Sequence, residues 1–316
     1  MSLRRIFALG ALLVALSSLS LPSFAWHAAG HEATAAVAYQ TLGRARAHAI
    51  AEALRKHPDY ATWMQEKPAD IEEDLYLFLR AATWPDDIRP PQHPSHHFAH
   101  SSWHYINRLY ILNGQPEPKP EKGKHILEAI ALNSKTLQGA SPDADKAIAL
   151  CWIFHLMGDI HQPLHSTALV SAQFPDGDRG GNLFFVRNKT RTNNLHSLWD
   201  GLWDKETAGK SVPGSDVKER VDHVKLLKVV GRVLKQYPAS GFKELGSADF
   251  NAWVDEGYAL AQHSVYLDGK LPIGTDKDAP GQLPDNYEAN ALKLGERQLA
   301  LGGYRLAAQL KSLLKL

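Results

Sequence analysis

Histidine and aspartate recur at short, regular spacing near the middle of the chain. One run contains His155, Asp159 and His165, and a second His-x-x-x-Asp motif follows at His196 and Asp200. Residues four apart on a helix lie about 40° apart around its axis, so each His and Asp pair shares one helical face. Catalytic zinc sites use imidazole and carboxylate donors and keep one position open for water. The spacing therefore predicts a metal site inside a bundle of helices.

Further donors precede this run. Asp86 and Arg89 stand at the end of a predicted helix, and His104 falls on a predicted short extended segment. His31 lies five residues after Trp26. If the chain were cleaved before Trp26, the new α-amino group would have a pKa of about 7.7 to 8.0 and could serve as a nitrogen ligand.

The first 25 residues have the features of a signal peptide. Arg4 and Arg5 give a basic start, an apolar stretch covers 6–19, and Ser23-Phe-Ala25 has the small-x-small pattern of a cleavage site. The apolar stretch is shorter than the roughly 20 residues that cross a bilayer. We therefore expect residues 1–25 to be a cleaved signal peptide. The mature chain, 26–316, would be exported to the periplasm or the medium without a membrane anchor.

Charge and cysteine content exclude two classes of protein. The chain has 35 Lys and Arg and 34 Asp and Glu residues, so loss of Arg4 and Arg5 leaves 33 against 34, a net charge of −1. This balance argues against a large basic surface that clamps duplex nucleic acid. The single cysteine, Cys151, excludes an internal disulfide, and its apolar neighbours predict a buried, inert thiol.

Helical periodicity dominates the mature chain and predicts one all-α domain. The predicted helical stretches are 31–57, 70–82, 124–138, 143–159, 216–236, 248–267 and 285–314. Asp143, after Ser141-Pro142, is a plausible first residue of the helix that carries His155 and Asp159. Segments 113–123 and 268–287 read as loops, and 175–195 contains glycines around a strand-like run, 183–187.

The motifs, taken in order, resemble those of the S1/P1 nuclease family, within the superfamily that also contains zinc-dependent phospholipases C. The matching residues are Trp26, Gly30-His31, Trp84-x-Asp86, His104-Tyr105-Ile106, His155-x-x-x-Asp159, His165 and His196-x-x-x-Asp200. The resemblance covers the whole mature chain. It implies a single-domain helical bundle of the phospholipase C/P1 nuclease type with a short β-hairpin-like loop, and an S1/P1 nuclease-like catalytic domain over 26–316.

The resemblance also implies three zinc ions. The first would be bound by Asp86, His104, His155 and Asp159, and the second by His165, His196 and Asp200. The third would be bound by Trp26, through its amine and carbonyl, and by His31, with Asp159 as a bridge. A hydroxide between the first two ions would attack phosphorus with Asp86 orienting it, and Arg89 would stabilise the transition-state phosphate.

In the family, such a site acts on single-stranded RNA and DNA and on nucleotides, which gives 5′-phosphorylated products and 3′-nucleotidase activity. Tyr105 corresponds to an aromatic residue that stacks on an unpaired base. Asn107 stands where fungal members have a base-binding aspartate, which leaves base preference open, and Asn182 either contacts substrate or closes a tight turn. We expect a monomer.

Other histidines are interpreted as bystanders. His161 matches no ligand of the family, so we expect it to support the site from outside or to be structural. His27 stands where many relatives have glycine and is interpreted as a spectator or a partner of the third zinc. His93, His96, His97 and His100 form a cluster that is interpreted as a solvated loop, with metal storage as the alternative.

Two other functions remain open from the sequence. A zinc phospholipase C would use the same scaffold and would need an apolar lipid-binding surface. A non-catalytic zinc-binding protein would use the same donors, but it has no need of Asp86 and Arg89 as a pair.

Overall fold

The computed structural model describes residues 26–120, 123–209 and 221–316. Helices dominate these residues, and the strands are few and short, which confirms the all-α class expected from the sequence. The predicted signal peptide lies outside the described residues. Within the described ranges, none of the helices combines the length and the apolar character that a bilayer crossing demands.

The described residues form eleven α-helices. In chain order they are Ala28–Leu42 (α1), Arg44–Leu54 (α2), Tyr60–Glu66 (α3), Glu73–Asp87 (α4), Ile126–Gln138 (α5), Asp143–Asp159 (α6), Leu195–Asp200 (α7), Asp204–Thr207 (α8), His223–Gln236 (α9), Phe250–Leu260 (α10) and Tyr287–Leu314 (α11). Single 3₁₀ turns supplement them, and two of these, Ser101–His104 and Pro163–His165, end on histidines of the predicted site.

Five short strands form two small sheets. They are Arg108–Ile111 (β1), Thr167–Val170 (β2), Phe185–Arg187 (β3), Thr192–Asn194 (β4) and Gly281–Gln282 (β5). β1 pairs with β2 in parallel, with Arg108 opposite Thr167 and Ile111 opposite Val170. β3 pairs antiparallel with β4 and parallel with β5, in the order β4-β3-β5. The β3–β4 pair is the hairpin expected within 175–195.

α6 is the central helix of the molecule. Every residue from Ala147 to Asp159 is buried, which is typical of a helix that is apolar on all sides and surrounded by others. It packs against α4 and α5, while α1 packs against α4 and α11. His155 and Asp159 therefore lie at the interior end of this bundle, whose buried apolar side chains we call the helical core.

A second, smaller set of buried apolar residues lies beside the two sheets. It includes Leu169, Phe184, Trp199, Tyr266 and Tyr287, and we call it the second core. Its polar groups are paired inside: Trp199 Nε1 donates to the Tyr287 hydroxyl, which donates to the carbonyl of Val265. The second core supports the segments that carry His165, His196 and Asp200.

The structure differs from the sequence-based expectations in several elements. The helix α3 and the strands β1 and β2 were not predicted, and two predicted segments also differ. The predicted helical stretch 31–57 is divided into α1 and α2 at Gly43, whose φ of +75° favours glycine and interrupts the helix. His104 ends a 3₁₀ turn instead of lying on an extended segment, and the strand β1 begins four residues later. The prediction of an extended segment over 102–107 was wrong for 102–104, because a single 3₁₀ turn has no recognisable periodicity.

Candidate metal centre

Four helices and two 3₁₀ turns bring the predicted donors together. The described residues contain three groups of His and Asp side chains that could bind a metal ion. Within each group, the donor atoms lie within 4.8 Å of one another. The first group is Asp86, His104 and His155; the second group is His165, His196 and Asp200; the third group is His31, His155 and Asp159. These eight residues are all the His and Asp side chains that the sequence predicted as metal ligands, and most of them are almost completely buried.

Asp159 lies between the groups, and its two oxygen atoms face different neighbours. Oδ2 lies 3.1 Å from His104 Nδ1 and 3.2 Å from His155 Nε2. Oδ1 lies 3.4 Å from His31 Nε2 and 3.8 Å from His165 Nδ1. A carboxylate with one oxygen on each side has the geometry that a bridging ligand requires.

The first group forms where α4, α6 and a 3₁₀ turn meet. Asp86 Oδ1 is 3.8 Å from both His104 Nδ1 and His155 Nε2, and those two nitrogens are 2.9 Å apart. Arg89, one helical turn after Asp86, donates from Nη1 to Asp86 Oδ1 at 3.1 Å. The i,i+3 spacing at the end of α4 thus places a guanidinium beside the group.

The second group is built from shorter elements. His196 Nε2 lies 3.2 Å from Asp200 Oδ2, as the i,i+4 spacing on α7 predicts. His165 ends a 3₁₀ turn that begins at Pro163, and its ring is 5.0 Å from that of His196. Asn194 starts α7 with a side-chain cap on Ser197 N, which fixes where the helix begins.

Three of the histidines are oriented in the same way, because Nδ1 of each is hydrogen-bonded to a backbone carbonyl. The pairs are His155 with Ala82 O at 2.7 Å, His165 with His104 O at 2.6 Å and His196 with Gly180 O at 2.6 Å. A carbonyl only accepts, so Nδ1 carries the proton and donates it. Nε2 is then left with a lone pair, which is the form that binds a metal.

Many buried polar atoms in these groups have no hydrogen-bond partner among the described residues. They are both ring nitrogens of His31, Nε2 of His104, Oδ1 of Asp159, Nε2 of His165 and Oδ2 of Asp200. Leaving a buried donor or acceptor unsatisfied costs about 1–3 kcal/mol each, and more for a charge. Such a dense set of buried lone pairs is typical of a site that binds cations. A donor set of imidazoles and carboxylates without thiolates is typical of catalytic zinc sites, which keep one coordination position open.

Electrostatic coupling in the groups is strong. Burial acts to lower the pKa of His155, but the carboxylates of Asp159 and Asp86 outweigh it and raise the pKa to about 9. Burial acts to raise the pKa of Asp159, but His155 and His165 hold it well below its usual range. Burial raises the pKa of Asp200. Cations would replace protons here, because these donors bind a metal only when deprotonated.

The residues at the start of the described chain are held against the groups. Trp26 Nε1 donates to Gly158 O at 3.0 Å, and its ring packs on Trp203 with 5.0 Å between ring centres. His27 N donates to Asp200 O at 3.1 Å, and its ring is 2.5 Å from Asp204 Oδ2. The backbone of His27 therefore ties the start of the described chain to the second group, while the role of the His27 side chain as a spectator or as a partner of the third zinc stays a prediction.

Glycine is required at one helical position next to the groups. A Cβ on Gly158 would lie 2.6 Å from Nδ1 of His31, so any side chain there would displace that ring. The requirement could not be read from the sequence, because it depends on the packing of α6 against α1.

The three residues predicted to bind substrate lie at the edges of the groups. Tyr105 directly follows His104, Asn107 lies two residues further on, and both are half-buried. Asn182 closes the turn at Gly180-Gly181, because its Nδ2 donates to Arg179 O at 2.9 Å. This bond supports the turn role of Asn182, and its contact with substrate stays a prediction.

The remaining histidines lie outside the donor groups. His161 is buried, with Nδ1 2.7 Å from Met157 O and Nε2 3.0 Å from Arg305 Nη1, so it is structural. Burial, together with the nearby Arg305, lowers the pKa of His161 to about 3. Among the described residues, the histidines between His93 and His100 belong to none of the donor groups.

The sequence reasoning missed Gln162, which is completely buried beside the second group. Its Nε2 donates to Asp200 Oδ1 at 2.7 Å, and its Oε1 accepts from Leu164 N at 2.6 Å. The signal was present as Gln162-Pro163, a polar side chain before a proline at the first position of a helical turn.

Comparison with known proteins agrees with this geometry. The model of the S1/P1 nuclease family matches residues 26–315. Endonuclease 2 of Arabidopsis thaliana is 28% identical over 296 residues, which cover 90% of this chain and 89% of that protein. Nuclease S1 of Aspergillus oryzae is 29% identical over 180 residues, 54% of this chain and 56% of its own length. Nuclease P1 of Penicillium citrinum is 26% identical over 185 residues, 57% and 63% of the two chains.

The family match extends over all three donor groups. The similarity to these nucleases covers most of the length of one relative and somewhat more than half of the other two. The protein is therefore a nuclease, a hydrolase that acts on nucleic acid, and it belongs to the S1/P1 nuclease family.

Proposed function

We propose that the protein is an exported endonuclease with three zinc ions, which cleaves single-stranded RNA and DNA to 5′-phosphorylated products and also removes the 3′-phosphate of nucleotides. The observation that carries the proposal is the convergence of three donor groups on Asp159, with their buried lone pairs unsatisfied. One zinc would be bound by the first group with Asp159, one by the second group, and one by Trp26 and His31 with Asp159 shared.

Zinc in these groups would lower the pKa of a bound water and offset the negative charge of a phosphodiester. Asp86 would act as an acceptor that orients the attacking water. Burial acts to raise its pKa, but His155 and Arg89 outweigh burial and lower it, so the carboxylate is ionised. Arg89 already donates to Asp86, and a guanidinium has five N–H donors in a rigid fork. It is therefore preorganised to contact a phosphate oxygen as charge grows.

Substrate preference would come from the residues that follow His104. The Tyr105 ring is half-buried and so offers a surface on which a base can stack. Stacking requires an unpaired base and tolerates any base, which favours single strands. Asn107 both donates and accepts hydrogen bonds, so it would read bases differently from an aspartate.

Cleavage after Ala25 would complete the third group by giving Trp26 a free amine. The support is the position of Trp26, which is anchored to Gly158 and Trp203 next to His31. Edman sequencing of the protein purified from its host should begin at Trp26. A chain with one extra residue before Trp26 should bind one zinc ion fewer.

The assay that tests the proposal uses single- and double-stranded RNA and DNA, 3′-nucleotides and phosphatidylcholine with the same enzyme. We expect cleavage of single strands, 5′-phosphate ends, loss of activity with a chelator and recovery with zinc. Products with 3′-phosphate ends would contradict the mechanism. Turnover of phosphatidylcholine alone would identify a phospholipase C instead, and bound zinc without any turnover would identify a zinc-binding protein.

A further inference from the structure

We propose that Gln162 is a positioning residue for the second group, which sets both the turn that carries His165 and the oxygen that Asp200 presents to a metal. The inference rests on the proposed zinc in that group. Gln162 contributes no donor atom to the group itself. It acts through the two ends of one buried amide.

The acceptor end of the amide holds the turn of His165. Oε1 of Gln162 accepts from Leu164 N at 2.6 Å, and the backbone carbonyl of Gln162 accepts from His165 N at 2.9 Å. Together these bonds cap the 3₁₀ turn Pro163–His165. A backbone N–H can only donate, so the amide oxygen must face Leu164, and the direction of the amide is fixed.

The donor end of the amide therefore faces Asp200. Nε2 of Gln162 donates to Oδ1 of Asp200 at 2.7 Å. The other oxygen, Oδ2, lies 3.2 Å from Nε2 of His196 and has no hydrogen-bond partner among the described residues. The amide thus occupies one carboxylate oxygen and leaves the second directed at the imidazole donors. Such outer partners orient metal ligands, and their loss typically weakens metal binding 10–100-fold.

The neighbouring residue prevents Gln162 from shifting. The ring of His161 is held between Met157 O at 2.7 Å and Arg305 Nη1 at 3.0 Å. Arg305 is 2% exposed and is paired through both terminal nitrogens with Glu256, at 2.7 and 2.9 Å. Because α10 and α11 supply these partners, the backbone from which the Gln162 side chain extends is fixed by the core.

The test is a zinc titration of metal-stripped protein against a competing chromophoric chelator, with Gln162→Met compared with Gln298→Met. Gln298 is a matched control, because it is also a buried glutamine beside the same segment. Its Nε2 contacts His161 O at 3.4 Å, and it belongs to no donor group. We expect Gln162→Met to weaken one zinc site by about 10–100-fold and Gln298→Met to leave all sites unchanged.

Cobalt substitution supplies a readout that a purely structural role would not change. The visible absorption of Co²⁺ in the second group should differ between Gln162→Met and the unchanged protein, and it should be the same in Gln298→Met. If Gln162→Met does not fold, Gln162→Asn keeps an amide of the same chemistry but shortens its reach by one methylene. It should weaken the same zinc site.

The outcomes separate this inference from the proposed function. If the unchanged protein binds no zinc, the proposed function fails. If the unchanged protein binds zinc and the Gln162 variants match Gln298→Met in affinity and cobalt spectrum, the inference on Gln162 is wrong while the proposed function stands.

Discussion

The helical core and the second core supply metal donors in different ways. In the helical core, Asp86, His155 and Asp159 project from α4 and α6, and helix periodicity alone aligns His155 with Asp159. At the second core, His165 ends a 3₁₀ turn and His196 is the second residue of a helix of six residues. Long helices position Asp86, His155 and Asp159, whereas a 3₁₀ turn and a short helix position the donors at the second core.

The difference lies in what holds each donor still. His155 and Asp159 belong to α6, whose residues from Ala147 onward are buried on every side of the helix. His165 and His196 have the same kind of ring hydrogen bond as His155, but they lie on a 3₁₀ turn and on a helix of six residues instead of a long buried helix. The helical core is thus rigid by packing, and the second group is rigid only while a few polar contacts persist. Substitutions should therefore act on the two regions by different routes.

The largest effect is expected from Asp159→Asn in the helical core. The amide is neutral, so the first group and the third group both lose the negative charge of the carboxylate that they share, and both should lose zinc. We expect kcat/KM on single-stranded DNA to fall on the order of 10³-fold. Elemental analysis should show two zinc ions fewer, and Asp145→Asn, exposed near the start of the same helix, should change neither value. Loss of a single zinc would contradict the bridging role.

The next effect concerns the loop at the second group, through Gly180→Ala. Gly180 has φ of +60°, and an added Cβ would lie 2.6 Å from the carbonyl of Leu164. The left-handed conformation costs an alanine about 1–2 kcal/mol, and the clash adds roughly 1–3 kcal/mol. Urea unfolding should show a loss of about 2–5 kcal/mol together with weaker zinc binding, because Gly180 O orients His196.

The matched control for Gly180 is Gly231→Ala. Gly231 lies inside α9, where an added Cβ meets no atom within 4 Å. Alanine there should stabilise the protein by about 0.5–1 kcal/mol, because glycine is a poor residue for a helix interior. If both substitutions changed the unfolding free energy equally, the loop at Gly180 would not be a weak point.

Acid should weaken the helical core through His57. This ring is buried and stacks on Trp63 at 4.3 Å, and burial lowers its pKa to about 4. The unfolded chain, with a pKa near 6.5, takes up the proton first, so stability is lost as the pH falls from about 6.5 to 4. The loss reaches roughly 3 kcal/mol. In His57→Phe, the free energy of unfolding should fall less between pH 6.5 and 4 than in the unchanged protein.

The measurement for His57 is the difference between two urea-unfolding series at pH 4.5, 5.5, 6.5 and 7.5. The donor groups titrate in both proteins, so their contribution cancels in the difference. Parallel profiles for the two proteins would show that His57 is not the acid-sensitive group.

A smaller effect is expected from Tyr266→Phe in the second core. The Tyr266 hydroxyl donates to Oδ2 of Asp178 at 2.7 Å, and Oδ1 accepts from Leu169 N at 2.8 Å. Asp178 lies two residues before Gly180, in the loop whose carbonyl orients His196. Removal of the hydroxyl should cost about 1–2 kcal/mol and should weaken zinc binding slightly through Gly180.

Tyr304→Phe is the counterpart in the helical core, where the Tyr304 hydroxyl donates to the carbonyl of Tyr237 at 3.0 Å. It should cost about 0.5–1.5 kcal/mol and leave zinc binding unchanged. Equal zinc affinity in Tyr266→Phe and Tyr304→Phe, measured with the chelator competition, would contradict the dependence of the second group on its loop.

The sequence predicted best what a single helix determines. The spans 143–159 and 124–138 agree with α6 and α5 within about two residues, because long apolar periodicity and a clear first residue define them. The pairing of His155 with Asp159, and of His196 with Asp200, follows from the i,i+4 spacing alone. The strand β3 was predicted as the strand-like run 183–187, whereas a hairpin was expected only from the family resemblance.

Features that depend on two distant segments could not be predicted. Neither Gly180 O as the partner of His196 nor Ala82 O as the partner of His155 has a local sequence signal. The pairing of β1 with β2 joins residues 59 positions apart, and β1 is too short to show alternation. The convergence on Asp159 was expected only from the family resemblance, since spacing says nothing about how α1 approaches α6.

The most direct test of the central claim is X-ray diffraction from crystals of the zinc-loaded protein, collected on both sides of the zinc absorption edge. The account predicts three anomalous peaks, one beside each donor group, with Asp159 Oδ1 and Oδ2 directed at different ions. Peaks that leave Asp159 bound to a single ion, or zinc found only at the histidines of 93–100, would contradict it.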